Sequence, residues 1–381
     1  MDLPTEHPLV SQGVADSRLL GALRGRRQET TPVWFMRQAG RSLPEYRALR
    51  KSGEMLDACL TPSLSSEITV QPVRRHQVDA AIFFSDIVVP LKLVGLGVEI
   101  VPGRGPVFDT AADSAGAIAA ITAIDPQLIV SRADEIRLGV ASTVAMLADE
   151  SARRGEPIPL IGFAGAPFTL AAYIVEGGPS KDHLAARRLI HEDPQAWREL
   201  MAWTAEVTGQ FLAVQILAGA SCAQLFDSWA GSLSVADYRA HSKWASQRAV
   251  EPVRALRVPG AEPMSASVPV IHFGVGTGDL LADMADIGVD AIGVDYRTTL
   301  REASARIGRP IPLQGNLDPA ALFASHDALE DAVRRVLEHG LAAPAHIFNL
   351  GHGVPQDTDP DVLTRIVELV HRWRPVADGE Q

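Results

Sequence analysis

Cysteine is almost missing from these 381 residues: there are two, Cys59 and Cys222, far apart and neither in a C-x-x-C pair. That excludes a disulfide framework and the common zinc-binding spacings, and it fits a reducing compartment. Positive charge is also short. Thirty-five Lys and Arg face 46 Asp and Glu, for a formal net charge of −11. With no global positive field to neutralise phosphates, nucleic acid is not expected as a partner. A small anion held by a local arginine cluster stays open. Long apolar runs are absent too. The most apolar stretch, Ile87–Val101, is broken by Pro90, Lys92 and Glu99 and is too short to cross a bilayer. The opening MDLPTEHPLVSQG carries early acids and lacks a basic region followed by an apolar run, so it is not a secretory signal. The expectation is a cytoplasmic protein with no membrane partner.

What is present is globular usage, 46% hydrophobic and 21% charged. The length exceeds an ordinary domain but suits one α/β barrel, with enough core to leave a deep pocket. Eight short, apolar, non-alternating runs read as strands buried on both faces: Val33–Met36, Ala81–Ser85, Pro159–Phe163, Ala223–Phe226, Val268–Phe273, Ala291–Val294, Ile311–Gln314 and His346–Asn349. Helical stripes lie between them, such as Val207, Phe211, Val214 and Ala218, or Leu329, Val333, Val336 and Leu337. Asp318–Pro319 and Asp359–Pro360 read as helix starts, with Val362, Ile366, Leu369 and Val370 forming the last stripe. Eight strands alternating with helices suggest a (β/α)8 barrel, with a doubly wound open sheet as the competitor. The second and third strands lie more than about 70 residues apart, room for an insertion near Val101–Asp125. Residues 1–17 and 376–381 read as loose tails around one domain, 18–375.

In a barrel, chemistry collects where strands end and βα loops begin. Polar residues of this chain gather there. The first strand runs into Arg37, Gln38, Ala39, Gly40 and Arg41, the second into Asp86, the fourth into Asp227 and Ser228, the eighth into Gly351, His352 and Gly353. Two guanidiniums around a glycine turn can fork onto carboxylates or phosphates, or pair with a surface acid such as Glu45. A carboxylate after the run AAIFFS is costly to bury alone. Asp86 can steady a developing cation, cap a helix, or sit in a salt bridge. Tyr173 can point its hydroxyl inward or pack, Ser228 can cap a helix, and His352 sits in a tight loop between glycines. Gly274–Gly278, G-x-G-x-G, is not a dinucleotide fingerprint and reads as a loop that lines the pocket or accepts an anion.

Six segments together carry a resemblance. PVWFMRQAGRSLPEYR (Pro32–Arg47), FFSDI around Asp86, GFAGAPFTLAAYIVEGG (Gly162–Gly178), QLFDSWAG around Ser228, QGNLDP (Gln314–Pro319) and NLGHG (Asn349–Gly353) occur in the order found in uroporphyrinogen decarboxylases. The chain resembles that family from Arg18 to Arg374. The resemblance implies a distorted (β/α)8 TIM barrel with a deep cleft at the C-terminal strand ends, working as a homodimer whose clefts face each other. It implies loss of four acetate carboxyls from uroporphyrinogen III to give coproporphyrinogen III, a step of haem biosynthesis, with no cofactor and no metal. By position, Arg37, Gln38, Ala39, Gly40 and Arg41 would bind substrate. Asp86 would meet the pyrrole N–H groups and stabilise the transition state. Tyr173, Ser228 and His352 would contact substrate, with Phe226 as an apolar wall. Corrinoid-linked methyltransferases, similar in fold, carry a His-x-Cys zinc motif. Here Ala220 precedes Cys222 and Asp57 precedes Cys59 at that spacing, so the motif is missing. A non-catalytic tetrapyrrole or organic-acid carrier would keep the arginines but not need Asp86.

Overall fold

The computed structural model describes residues 1–11, 13–50 and 53–375. Among the described residues nine strands form: β1 (Ala81–Ile82), β2 (Val98–Val101), β3 (Gly105–Phe108), β4 (Leu160–Gly165), β5 (Cys222–Asp227), β6 (Val270–Gly274), β7 (Ala291–Gly293), β8 (Leu313–Leu317) and β9 (His346–Leu350). Seven make one parallel sheet in the order β1-β4-β5-β6-β7-β8-β9. Helices such as Asp134–Arg154, Pro194–Leu217, Lys243–Arg254 and His326–Gly340 cross between consecutive strands. β4, β6, β7, β8 and β9 are buried at every position, the reason these runs do not alternate in sequence.

The sheet is strongly curled. Gln314 of β8 donates to the side-chain oxygen of Gln224 of β5 at 2.9 Å, although β6 and β7 lie between them in the sheet. Trp34 adds its indole N–H to the same row, 3.0 Å from Gln314 Oε1. Such a contact joins non-neighbouring strands only across a concave face.

The expected first strand, Val33–Met36, does not form as one. A single parallel bridge joins Val33 to Phe348. On the β9 side, Phe348 N–H donates to Pro32 O at 2.8 Å and Trp34 N–H to Phe348 O at 3.3 Å. On the β1 side only Asp79 N–H reaches Val33 O, at 2.8 Å. The remaining amides are taken by side chains: Val33 N–H donates to Asp79 Oδ2 (2.7 Å), Phe35 N–H to Gln38 Oε1 (3.0 Å) and Met36 N–H to Asn349 Oδ1 (3.0 Å). Side-chain acceptors thus replace a ladder here and satisfy the same backbone groups. Arg18 and His371, from opposite ends of the sequence, also bind Asp79, at 2.9 and 2.8 Å.

Three further expectations are corrected. Residues 1–17 are not loose: Leu3, His7, Leu9 and Val14 are buried, Leu3 N–H donates to Arg257 O, and His7 Nε2 meets Ile216 O at 2.8 Å. Asp318–Pro319 begins only a five-residue 3₁₀ turn, Pro319–Phe323. The helix that follows starts at His326, where Ser325 Oγ accepts Ala328 N–H. Several strands shift by one to three residues toward their C-terminal ends, β8 most. The expected 376–381 tail lies outside the described residues. The insertion holds the antiparallel β2–β3 hairpin and the helix Ala115–Thr122, docked on the end of the helix Pro167–Glu176 through Phe108 N–H to Gly177 O and Ala112 N–H to Ile174 O. Among the described residues no helix is long and apolar enough to cross a membrane.

Candidate active site

The polar residues expected at the site do fall at the C-terminal ends of the parallel strands. Asp86 lies four residues past β1, Ser228 directly after β5, and His352 two residues past β9. Tyr173 sits in the helix Pro167–Glu176, which starts just after β4 because Pro167 fits the first turn. Gly165 closes the gap between these parts: a methyl group there would lie 3.1 Å from Ile87 Cβ, beside Asp86. Beneath them Phe226 packs edge-to-face with Phe163 (5.4 Å) and Phe273 (5.9 Å), an aromatic floor drawn from three adjacent strands.

The 37–41 turn is built by strain and by its neighbours. Arg37 adopts a left-handed backbone, φ 59°, uncommon for any side chain but Gly, Asn or Asp. Its stem lies over Gly353, where a methyl group would come within 2.5 Å of Arg37 Cδ. Arg41 reaches the same loop, donating to Gln356 Oε1 at 3.0 Å. Both arginines are exposed, Ala39 and Gly40 half-buried. Neither arginine pairs with Glu45, whose carboxylate is taken by Arg75 at 2.6 Å. The Gln38 side chain turns inward. It is fully buried and both amide ends are committed, Oε1 to Phe35 N–H and Nε2 to Ala80 O. It therefore shapes the turn from behind.

Asp86 lies deep yet keeps part of its surface open. Oδ1 accepts Val88 N–H at 3.0 Å, and no ion pair engages the carboxylate among the described residues. Burial pushes its carboxyl above the usual range, against the Val88 hydrogen bond and the charge of Arg37. Burial raises the Tyr173 hydroxyl to about 12, helped by the charge of Asp86 and opposed by that of Arg37. His352 is held below its usual value by burial and then by Arg37, so the imidazole is neutral near pH 7. Arg37, Asp86, Tyr173 and His352 therefore share one electrostatic neighbourhood: a cation, a carboxylate, a neutral hydroxyl and a neutral imidazole above an aromatic floor. Ser228 is half-buried at its edge.

A uroporphyrinogen decarboxylase family model matches residues 15–373, nearly the whole chain. The chain belongs to the uroporphyrinogen decarboxylase family. A family member named uroporphyrinogen decarboxylase from Leifsonia xyli subsp. xyli (strain CTCB07) is 58% identical over 379 residues, 98% of each chain. One from Arthrobacter sp. (strain FB24) is 56% identical over 361 residues, 95% of this chain and 98% of its own. A solved methyltransferase structure from Methanosarcina mazei superposes with a TM-score of 0.73 at 17% identity, covering 93% of this chain and 97% of that one. That likeness is one of fold alone.

Sequence reasoning passed over two features of this site. Trp229 stacks on Tyr173 with ring centres 3.8 Å apart, and His183 lies 4.2 Å from the other partner of that stack, Trp229. Its position in FDSW, after a strand, was the available signal. Asp295, Tyr296 and Arg297 follow β7 in the same way. Arg297 binds Asp295 Oδ2 at 2.6 Å, covers the Tyr296 ring at 4.5 Å, and adds positive potential at His352. The glycine-rich loop does accept an anion, but an internal one: Gly276 N–H donates to Asp295 Oδ2 at 2.7 Å.

The glycines around His352 have separate reasons. A methyl group on Gly351 would lie 2.2 Å from the backbone nitrogen of Tyr296, and one on Gly353 would strike the Arg37 stem. Backbone cannot move aside as a flexible side chain can. Gly351→Ala is expected to cost about 1–3 kcal/mol by overpacking. It should also raise KM, because His352 moves with the loop. Thermal melts and steady-state kinetics check this, and a variant matching the parent in both would contradict it.

Proposed function

We propose that this chain removes the four acetate carboxyls of uroporphyrinogen III, giving coproporphyrinogen III and four CO2, without a cofactor. The observation that carries the reading is Asp86: a buried-edge carboxylate at the rim, free of any ion pair among the described residues, with a guanidinium close enough to tune it. Family membership and relatives above 50% identity support the same chemistry. The reading includes a distorted eight-stranded barrel in which the 32–36 segment serves as the eighth stave, one domain over 18–375, and a cytoplasmic homodimer with facing clefts.

Each cycle breaks one C–CO2 bond, and the electron pair needs a sink. Protonating a pyrrole carbon next to nitrogen makes the ring a cation that accepts it. A proton then joins the methylene carbon and the ring carbon releases the proton it had gained, so that overall CH2COO− and one proton become CH3 and CO2. The Asp86 carboxylate faces the ring N–H groups and stabilises the cation without reorganising. Arg37 and Arg41 hold side-chain carboxylates and stay protonated. Tyr173 and His352 supply neutral O–H and N–H groups on the same rim, and Phe226, Phe163 and Phe273 offer an apolar bed for the macrocycle. An enclosed cavity is not what supports the deep cleft. A cavity of about 470 Å³ lies at the opposite end, lined by Val14, Val144, Leu147, Leu160, Gly219 and Ser221.

Pure protein without added cofactor is incubated with chemically reduced uroporphyrinogen III, and carboxyl groups in the product are counted by mass. Loss of four CO2 is expected. Unchanged substrate overturns the reading, and tight binding without CO2 release marks a carrier instead.

A further inference from the structure

Behind the rim lies a carboxylate that the mechanism does not use. Asp227 ends β5, and its side chain is fully buried on the face away from Phe226. A buried carboxylate is expensive without partners, and no Arg or Lys pairs with this one among the described residues. Oδ1 accepts the Thr169 hydroxyl at 3.1 Å, and Oδ2 lies 3.5 Å from Nε2 of the equally buried His272. The Thr169 hydroxyl hydrogen is thereby spent on Asp227, which leaves its lone pairs free. One of them accepts Trp229 N–H at 3.3 Å.

That one hydroxyl ties together pieces that matter. Ser228 lies between the two residues it binds, so its backbone is held on both sides. Tyr173 lies one turn further along the Thr169 helix, and its ring rests on the Trp229 ring. Thr169 is β-branched within a helix, so few rotamers are open to it. We propose that Thr169, oriented by Asp227, is a positioning residue: it sets Ser228 and Tyr173 at the spacing that the substrate requires. The proposal rests on the decarboxylase reading.

The test is a double-mutant cycle. Thr169→Val keeps the shape and removes the hydroxyl. It should lower kcat/KM about tenfold, mainly through KM, with Thr169→Ser returning it to within about twofold of the parent. In a Ser228→Ala background Thr169→Val should cost clearly less, about threefold rather than tenfold, because only the hold on Tyr173 is then left to lose; groups that share one network are not additive. A merely structural threonine would lose activity to the same extent in both backgrounds, and that additive result overturns the proposal, as does an unaffected Thr169→Val. Should Thr169→Val not fold, Asp227→Asn is put through the same cycle, with the same non-additivity expected and additivity again fatal. Affinity for coproporphyrinogen III, measured by equilibrium dialysis, should weaken about tenfold in Thr169→Val, and it reads the clamp without turnover. A parent protein that releases no CO2 refutes the decarboxylase reading. An active parent with an additive cycle refutes only the clamp.

Discussion

Asp86→Ala should abolish measurable turnover, with kcat down by at least the order of 10²–10³ that one preorganised charge supplies. In the proposed mechanism the group meets a ring that turns from neutral to cationic, and among the described residues no other carboxylate shares its position past β1. Asp86→Asn keeps the shape and can still accept Val88 N–H, so it isolates the charge; it should fall nearly as far. Asp86→Glu should retain some activity. Undiminished turnover in Asp86→Ala would remove the proposed mechanism. The pH dependence carries a sign. Burial raises the folded-state value above the unfolded one. Native stability tied to this group is therefore fully present below the ordinary carboxylate range and is lost as pH rises through the raised value. At neutral pH, Asp86→Asn should melt higher than the parent, and the gap should close in acid. The proposed mechanism needs the ionised form, so the acid limb of kcat/KM should stand above the ordinary carboxylate range. On that mechanism the enzyme gives up stability for a charge placed where its chemistry uses it.

Asp79→Ala should destabilise the fold by about 2–3 kcal/mol while leaving the chemistry of the folded fraction nearly intact. Removing one partner of a buried charge pair strands the other. Here the deletion leaves His371 and the Val33 amide without their acceptor, while Arg18 keeps its second ion pair, with Glu156. Asp79 lies before β1, at the opposite end from Asp86 and His352, so kcat measured well below the melting range should stay within about twofold. Urea melts give the cost. A loss under about 1 kcal/mol would mean that the seam is held elsewhere.

Most of the architecture was legible because parallel strands buried on both faces leave a plain mark: short runs such as Ala291–Val294 and His346–Asn349, followed within three residues by polar ones. Asp86, Ser228 and His352 were visible by that rule, and the resemblance assigned roles to them. What stayed hidden depended on long-range partners. Nothing local in Val33–Met36 says that its amides will bond Asp79, Gln38 and Asn349 rather than a neighbouring strand, since those acceptors are up to 313 residues away. The two internal bonds of the Gln38 side chain are likewise invisible in sequence. The first seventeen residues looked loose because Leu3, Leu9 and Val14 are too widely spaced to form a periodic stripe. Thr169 and Asp227 carry no pattern at all: their pairing exists only once β5 lies beside the helix after β4.

The side-chain seam around Val33 also sets a timetable for biogenesis. Its donors and acceptors come from Arg18, Asp79, Phe348, Asn349 and His371. A ribosome that has made three quarters of the chain has delivered only part of this set. Until the final segment leaves the exit tunnel, the Val33 region has no β9 to lie against and one margin of the sheet stays open. A message cut short before Phe348 would yield a sheet with a raw edge, prone to pair with its neighbours.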